Sequence, residues 1–496
     1  MTAKPLDEMV IQHFFKKAWA VVGNDVCLAV KKIFKYGKLL KEINSTLITL
    51  IPKVHHPKLV TEFRPIACCN VLYKCISKVL TNRIKETLNK LVNLNQSAFI
   101  HGRNIQDNIL LTQELLKNYN RKGGAKRCAL KIDIAKAYDT VSWEFLRNAL
   151  IKFGFHRRMV DWIYTCISST TFSICVNGES NGYFKGGRGL RQGDPISPYL
   201  FTLVMEVFTL IMAKKVENST EFKYHTGCKE LKLTHLCFAD DLLVICHGSV
   251  GSINVIKESI DEFSKVSGLE PNLNKIPLIT KRLGREECKQ LIDKVKNKVK
   301  DWKNKVLSYA GRMHLIDSIL NSMQVYWASV FLLPKSTVKD IERVLKGFLW
   351  CQGDLSRGKA KIAWKTLCKP KCQGGFGFKE LGMWNEVLLT RHIWNIAANK
   401  ESLWVKWVHI VKLKGKNFWE VSSESNDSWM WKCLLGLREK AKHHIEYIVE
   451  NGKRISVWYD KWNEMGALCQ IIDSRNLYNA RYDKKATVAD MIHNNQ

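Results

Sequence analysis

The pattern of hydrophobic and polar positions changes near residue 280. Before it, apolar runs of strand length lead into segments with apolar residues at helical spacing, as in residues 128–150. A Gly- and Pro-rich loop leads into a long apolar helix within residues 186–215, and residues 251–266 are also predicted to be helical. Beyond residue 280 the spacing is mainly that of helices. The pattern therefore predicts an α+β region followed by a mainly helical region.

These changes predict four segments, because 496 residues are too many for one compact core. Residues 1–45 have a helical period and residues 46–280 mix strands with helices. Residues 281–420 contain Lys-rich and then Trp-rich helices, and residues 421–496 form the last segment. The tryptophans indicate either a buried helical core or a platform for base stacking.

The stretch HLCFADDLLVIC, residues 235–246, places Asp240 and Asp241 side by side in an apolar run. The flanking residues predict a strand, a turn and a returning strand, with the aspartates at the tip. Two carboxylates this close repel each other and lose hydration unless a cation or a base neutralises them. The dipeptide alone is compatible with a solvated turn or with a cation site.

Asp133 follows the mainly apolar strand ALKI, residues 129–132, at the end where a sheet of an α/β protein presents functional groups. If this strand lies beside the hairpin, Asp133, Asp240 and Asp241 converge. Carboxylate oxygens are the ligands that Mg²⁺ prefers. The alternative for Asp133 is a cap at the start of the helix that follows it.

The charge of the chain points to a polyanionic partner. Lys and Arg total 78 against 46 Asp and Glu, which gives +32 at pH 7; nucleic acid is the simplest partner for such an excess. We find no apolar stretch long enough for a membrane helix and no secretory signal, so no membrane partner is expected. The 16 cysteines are irregularly spaced, as in intracellular proteins with reduced thiols.

Several motifs occur in an order that resembles reverse transcriptases. LKIDIAKAYDTVSWEFL, GLRQGDPISPYLF and FADDLLVI resemble polymerase motifs A, B and C. Upstream, FRPIACCNVLYKCISKVLTNRIK resembles the fingers of non-LTR (LINE-type) retrotransposon enzymes, and KIAWKTLCKPKCQGGFGFKEL resembles the C-terminal extension of plant members. The resemblance implies a right-hand polymerase fold, with fingers and palm of antiparallel sheet plus helices, then a helical thumb and a C-terminal extension.

The resemblance also implies an activity, that of an RNA-directed DNA polymerase. Its partners would be an RNA template, a DNA primer or target and deoxynucleoside triphosphates. Asp133 and Asp240 would bind two Mg²⁺ ions, for which Mn²⁺ can substitute, and Asp241 would support the site. Two such ions activate the primer 3′-hydroxyl and stabilise the pyrophosphate leaving group.

Further residues match the family by position. Tyr138 matches the bulky residue that excludes a ribose 2′-hydroxyl, although a core aromatic fits its helical spacing equally. Gln192 and Gly193 match the motif that packs against the template–nucleotide pair, and they also form a turn before a helix. Arg64 and Lys53 match basic residues that contact the triphosphate, with solvated surface cations as the alternative. Lys275 matches a proton donor to pyrophosphate.

The sequence departs from the family after Lys275, which is followed at once by IPLITKRL. The segment expected there includes the hairpin that holds the primer terminus. We therefore expect a fragment of an element's polyprotein, shortened at both ends and with one internal loss. The alternative function is a catalytically decayed nucleic-acid-binding remnant. An RNA-dependent RNA polymerase is disfavoured by Tyr138. Localisation to nucleus and cytoplasm is expected from the substrate alone.

Overall fold

The computed structural model describes residues 13–54, 56–117, 119, 126–272, 285–303, 307–351, 362–472 and 483–492. The chain forms two compact units. The first comprises Met1–Ile105 and Arg121–Leu278, and the second comprises Gln106–Asn120 and Ile279–Gln496. Residues 106–120 thus belong with the second unit, although the sequence pattern grouped them with residues 46–280. The four predicted segments and their roles stay predictions.

Strands and helices are mixed up to residue 272. In chain order they are α1 (Trp19–Tyr36), β1 (Ser45–Pro52), β2 (Phe63–Cys69), α2 (Val71–Leu91), α3 (Ile105–Leu115), β3 (Arg127–Ala135), α4 (Ala137–Thr140), α5 (Trp143–Lys152), α6 (Arg157–Ser168), β4 (Thr171–Val176), β5 (Glu179–Lys185), α7 (Ser197–Glu217), β6 (His235–Phe238), β7 (Asp241–His247), α8 (Val250–Ser267) and β8 (Glu270–Asn272).

The described elements beyond residue 284 are helical. They are α9 (Arg285–Lys303), α10 (Tyr309–Ala328), α11 (Lys335–Cys351), α12 (Trp364–Leu367), α13 (Leu381–Ala397), α14 (Leu403–Trp407), a π-helix (Val408–Leu413) and α15 (Trp429–Lys442). The predicted α+β fold class, with helices following the sheets, is therefore confirmed.

The strands of the first unit form two sheets. One has the order β2-β1-β4-β5, in which β1 is antiparallel to β2 and parallel to β4. The other has the order β6-β7-β3-β8 and is antiparallel throughout. In this second sheet the strand that ends near Asp133 lies next to the strand that begins at Asp241, as the hypothesis of convergent carboxylates requires.

Two helices form much of the core of the first unit. On α2 the buried positions recur every three or four residues, for example Tyr73, Ile76, Leu80 and Ile84. By contrast, α7 is buried on nearly every side, which agrees with its almost uninterrupted run of apolar residues. A helix enclosed in this way provides a rigid support for the loop that precedes it.

A buried ionic cluster holds α3 within the second unit. The Lys412 Nζ atom lies 3.2 Å from a Glu114 carboxylate oxygen and 2.8 Å from one of Asp427. The Ser428 hydroxyl also donates to Glu114. Because these charged groups are largely shielded from water, removing one of them would leave the others unpaired. This cluster explains why residues 106–120 pack with elements distant in sequence.

The tryptophans beyond residue 327 are mainly core residues where the structure describes them. Trp364, Trp404 and Trp407 are buried, whereas Trp394 is about half exposed. The Lys-rich helix α9 buries Leu291 and Val295, and its lysines from Lys289 to Lys300 are exposed. Among the described residues, no helix combines the length and apolar character needed to cross a membrane.

Candidate active site

The hairpin of β6 and β7 carries Asp240 at its tip. Phe238 pairs with Asp241, so that Ala239 and Asp240 form the turn. Ala239 has a φ of 56°, in the left-handed region that non-glycine residues seldom adopt. The strand, turn and strand that the apolar pattern predicts are all present. The unusual backbone at Ala239 requires support from outside the hairpin.

Gln96 gives that support. Its side-chain oxygen accepts a hydrogen bond from the Ala239 N–H at 3.1 Å, and its side-chain amide donates to the Ala239 carbonyl at 3.4 Å. Next to it, the Cys237 N–H donates to the Asn95 carbonyl at 2.8 Å. Gln96 is 2% exposed. The segment Asn95–Ser97 therefore fixes the turn that presents Asp240, a role that the sequence analysis missed.

Asp133 lies at the same end of the sheet. β3 runs antiparallel to β7 with Ile132 opposite Leu242, so that the next position of β3 adjoins the start of β7 at Asp241. Burial, and then the charges of Asp241 and Asp133, raise the pKa of Asp240 above its usual value, whereas Lys131 lowers it. Both Asp133 and Asp241 are therefore close enough for their charges to act on Asp240.

The two adjacent aspartates differ in their surroundings. The Asp241 carboxylate lies 3.1 Å from the Lys131 ammonium, and the two side chains are 58% and 40% exposed. Asp240 is half-buried and has no comparable ion pair within the described chain. An exposed pair of this kind contributes little to stability. The negative charge of Asp240 is therefore not balanced by an ion pair, whereas that of Asp241 is balanced by Lys131.

Tyr138 faces Asp240 from α4, just after β3. Its ring stacks on Phe201 of α7 with the centroids 4.8 Å apart. Burial, and then the negative charge of Asp240, raise the pKa of Tyr138 to about 12. The ring is thus both anchored on the core and close to the carboxylate. Packing on the core and a contact with a nucleotide sugar are compatible for this side chain.

The loop with Gln192 and Gly193 packs against β2. The Ala67 N–H donates to the Gln192 carbonyl at 2.8 Å. Gly193 has a φ of 115°, and a Cβ atom at this position would lie 2.8 Å from the Ala67 carbonyl oxygen. Only glycine fits both the backbone conformation and the close approach. The loop therefore needs Gly193 in order to lie against the strand that also carries Arg64.

Arg191 and Asp194 enclose this loop in a buried network that the sequence analysis did not single out. Their side chains lie 3.1 Å apart and are 5% and 1% exposed. Arg191 also donates to the Asn44 side chain at 2.8 Å. Asp194 accepts from the Tyr73 hydroxyl at 2.6 Å and from Ser77. Because both charges are paired and hydrogen-bonded, the network fixes the loop at each end. The pair flanks Gln192 and Gly193 in sequence, which was the available signal.

Arg64, Tyr138, Gln192, Gly193 and Asp240 line one cavity of about 340 Å³, together with Arg191 and Pro198. We call it the carboxylate cavity. Five predicted site residues from four separate segments thus meet in one place.

Lys53 does not line this cavity. Its ammonium donates to the Thr61 carbonyl at 2.9 Å, and its charge lowers the pKa of Asp139, which burial raises. Lys275 lies outside the described residues, as does the junction that follows it.

The carboxylates suit a divalent cation by donor type. Among the described residues, no three His, Cys, Asp or Glu side chains are grouped closely enough to form a metal site as they stand. Even so, burial and, to a smaller extent, the charges of Asp241 and Asp133 raise the pKa of Asp240, so that this half-buried carboxylate lies among like charges. A hard divalent cation would relieve that repulsion. Asp133 and Asp240 therefore fit such an ion, and Asp241 would have to leave Lys131 to join them.

Known proteins resemble much of this chain. It is 26% identical over 407 residues to the transposon TX1 149 kDa protein of Xenopus laevis, covering 75% of this chain and 30% of that protein. It is 26% identical over 240 residues to the Pol polyprotein of the type-2 retrotransposable element R2DM of Drosophila melanogaster, covering 48% of this chain and 22% of that one. The chain thus spans less than a third of either relative.

Among solved structures, this chain resembles a telomerase from Candida tropicalis in complex with a fragment of telomeric RNA. The alignment covers 77% of this chain and 67% of the telomerase chain, with 13% sequence identity and a TM-score of 0.38.

A protein family also matches this chain. Residues 51–309 match the family described as reverse transcriptase (RNA-dependent DNA polymerase). The match includes β3, the loop with Gln192 and the hairpin with Asp240. Together with the retrotransposon relatives, it confirms the prediction of a reverse transcriptase domain in a non-LTR retrotransposon-like protein. Because it covers more than half of the chain, this protein belongs to the reverse transcriptase (RNA-dependent DNA polymerase) family.

Proposed function

We propose that this chain is the RNA-directed DNA polymerase part of a plant LINE-type retrotransposon protein. It would add deoxynucleotides to the 3′-hydroxyl of a DNA primer along an RNA template. The proposal rests on one structural observation. The carboxylate cavity brings Arg64, Tyr138, Gln192 and Gly193 around Asp240, at the end of the sheet where Asp133 lies. The plant origin is supported by the resemblance of the C-terminal segment.

Divalent cations, which this family generally uses, would be held by Asp133 and Asp240. We propose two Mg²⁺ ions, with Mn²⁺ as a substitute. When bound, such ions lower the pKa of the attacking hydroxyl and neutralise the charge of the leaving pyrophosphate. The protein supplies two carboxylates at the edge of a rigid sheet, so that little reorganisation is needed on binding. Lys131 would keep Asp241 oriented near the site.

Tyr138 would select deoxynucleotides. Because its ring is stacked on Phe201, it cannot retreat into the core without breaking that packing. A rigid ring next to the sugar leaves no room for a 2′-hydroxyl. The Gln192–Gly193 loop, fixed against Ala67, would lie under the template–nucleotide pair.

Charged side chains would position the triphosphate. Arg64 is exposed and lines the cavity, so its guanidinium is available for a bidentate contact with phosphate. Lys53 would add a point charge after leaving the Thr61 carbonyl. Lys275 would donate a proton to pyrophosphate.

The partners follow from the same chemistry. Exposed lysines on α9 would track the backbone of the template–primer duplex, with binding that weakens steeply as salt increases. Since the DNA target is genomic, we propose that the protein acts in the nucleus after synthesis in the cytoplasm.

Primer extension on an RNA template tests the proposal. The full chain is compared with Asp240→Ala/Asp241→Ala in the presence of Mg²⁺ and deoxynucleotides. Extension by the wild type that is lost in the variant is the expected result. If neither protein extends the primer while both bind it equally and with salt sensitivity, the chain is a binding remnant and the proposal fails.

A further inference from the structure

A second large cavity, of about 640 Å³, lies within the second unit. Its lining comes from four segments, around residues 396–399, 409–420, 447–460 and 483–487. We call it the basic cavity. None of these segments belongs to the polymerase motifs, and the family match ends at residue 309. The cavity is therefore distinct from the residues proposed for nucleotide addition.

Cations dominate the entrance of the basic cavity. The five basic side chains with exposed positions are Lys416, Lys453, Arg454, Lys484 and Lys485. Where the chain is described, none of the five forms an ion pair with a carboxylate. Five cations that repel one another around one opening raise the electrostatic energy of the free protein. A polyanion entering the opening would relieve that repulsion.

Three carboxylates of the lining, Glu420, Asp460 and Asp483, reduce the charge of the five cations from +5 to +2 without reversing its sign. Asp460 is 2% exposed and accepts hydrogen bonds from the Ser456 N–H at 2.7 Å and from the Asn417 side chain at 3.3 Å. Asp483 accepts from the Lys485 N–H at 2.9 Å, and so caps its own turn. Glu420 is hydrogen-bonded to Tyr459. Each acid is thus used to build the wall of the cavity.

The backbones of two loops that carry these cations are hydrogen-bonded to each other. The Val488 N–H donates to the Ile455 carbonyl at 2.9 Å, and the Ala489 N–H donates to the Gly452 carbonyl at 3.2 Å. Gly452 has a φ of 65°, and a Cβ atom there would lie 2.5 Å from the Ala489 nitrogen. The loop with Arg454 and the loop with Lys484 are therefore held side by side. Cations arranged in advance bind an anion at a lower entropic cost than independent ones.

The interior supplies aromatic rings. Trp419 is buried, and its indole N–H donates to the Tyr447 hydroxyl at 3.3 Å. Tyr459 is half-buried and also lines the cavity. Cations that follow a backbone, combined with rings on which bases stack, are the two features of sites for single-stranded nucleic acid. An acidic peptide would use the cations alone.

We propose that the basic cavity binds single-stranded nucleic acid, with successive phosphates at Arg454, Lys484 and their neighbours and a base against the aromatic wall. This site is separate from the carboxylate cavity and holds the strand without reacting with it. The ligand chemistry is shared by RNA and DNA, so both are tested.

The test measures the binding of short fluorescent single-stranded RNA and DNA to the full chain by anisotropy. Arg454→Glu/Lys484→Glu should bind about ten-fold more weakly, with the slope of log affinity against log salt reduced by about 1.4 for two lost phosphate contacts. The matched control is Lys369→Glu/Lys371→Glu, which reverses the same charge at exposed positions outside the cavity. The control should change affinity by less than about two-fold, as expected of solvent-exposed charges that do not line the cavity.

Further measurements make the result decisive. Equal melting temperatures of the two variants show that both are folded, and the more conservative Arg454→Lys should retain binding. RNA containing 4-thiouridine should crosslink to the peptide with Tyr459. Extension of a pre-annealed primer should be the same in both double variants, which separates this site from the proposed polymerase activity. Equal binding by the two variants, or competition by polyglutamate as strong as by RNA, would overturn the proposal.

Discussion

The two cavities are built in different ways. The carboxylate cavity is formed at strand ends and at one loop, where motif residues are presented by a sheet and by the buried helix α7. The basic cavity is formed by loops around helices, and its cations come from segments that carry no motif. The carboxylate cavity contains a half-buried carboxylate that no cation of the described chain pairs with. The basic cavity contains more positive than negative side chains.

Because of this difference, function is recognised from particular residues in the carboxylate cavity and from the number of cations in the basic cavity. Chemistry requires atoms at fixed distances, so the carboxylate cavity depends on particular residues such as Gly193, which nothing else can replace. Binding to a polyanion requires only enough cations in one place, so each lysine of the basic cavity is individually ordinary. Variants should therefore have large effects in the first cavity and graded effects in the second.

The largest effect is expected from Asp240→Asn. Loss of the half-buried carboxylate should lower primer extension at least about 100-fold, whereas Asp241→Asn should cost less because Lys131 already neutralises Asp241. Binding of single-stranded RNA should be unchanged in both variants. Initial rates and anisotropy measure the two properties. Equal losses of rate in the two variants would contradict the distinction between the adjacent aspartates.

The second effect concerns the choice of sugar. Tyr138→Ala removes the ring that is stacked on Phe201, and should raise ribonucleotide incorporation relative to deoxynucleotide incorporation by about ten- to a hundred-fold. Tyr138→Phe keeps the ring and serves as the control. The ratio of kcat/KM for the two nucleotides is the measurement. An unchanged ratio in Tyr138→Ala would leave the residue with a packing role only.

The third effect is on stability. Gly193→Ala forces a Cβ atom towards the Ala67 carbonyl in a backbone conformation unfavourable for alanine, and should lower the free energy of unfolding by about 1–3 kcal/mol. Gly187→Ala is the matched control, since a Cβ atom there would meet no atom within 4 Å. Urea denaturation compares the two variants. Similar midpoints for both would show that the loop can move away from β2.

The smallest effect is a pH dependence inside the first unit. Burial raises the pKa of Glu206 from 4.5 to about 7, although the Asn93 N–H bond lowers it. Because the folded pKa is raised, its favourable contribution is complete below about pH 4.5 and is lost as pH rises through 7. Glu206→Gln should therefore raise the free energy of unfolding at pH 8 by about 1–3 kcal/mol, and by less at pH 5. Exposed Glu144→Gln should show no such difference, and a similar gain at both pH values would contradict the assignment.

Local sequence patterns predicted the part of the carboxylate cavity that holds Asp240, whereas Arg64, Tyr138, Gln192 and Gly193 were expected only from the resemblance to reverse transcriptases. The apolar run around Asp240 specifies a hairpin, and the strand before Asp133 specifies a neighbour for it. The α+β class and the reverse transcriptase family were likewise predicted and are confirmed. What local patterns do not specify is pairing across long separations. The support of Ala239 by Gln96 and the pairing of Arg191 with Asn44 are of this kind.

The basic cavity could not be predicted for the same reason. Its lysines are typical of solvated surface cations. Hydrogen bonds between the two loops, such as the one from the Val488 N–H to the Ile455 carbonyl, bring the loop with Arg454 beside the loop with Lys484. The placement of residues 106–120 in the second unit depends likewise on the pairing of Glu114 with Lys412. Folding creates these contacts between residues whose order in the sequence carries no sign of them.

The most direct test of the central claim is the incorporation of a single deoxynucleotide opposite an RNA template, measured for the wild type and for Asp133→Asn under single-turnover conditions. We expect incorporation by the wild type and a loss of at least about 100-fold in the variant, because Asp133 and Asp240 would hold the same pair of ions. Incorporation at equal rates by both proteins would contradict the claim that these two aspartates form one catalytic site.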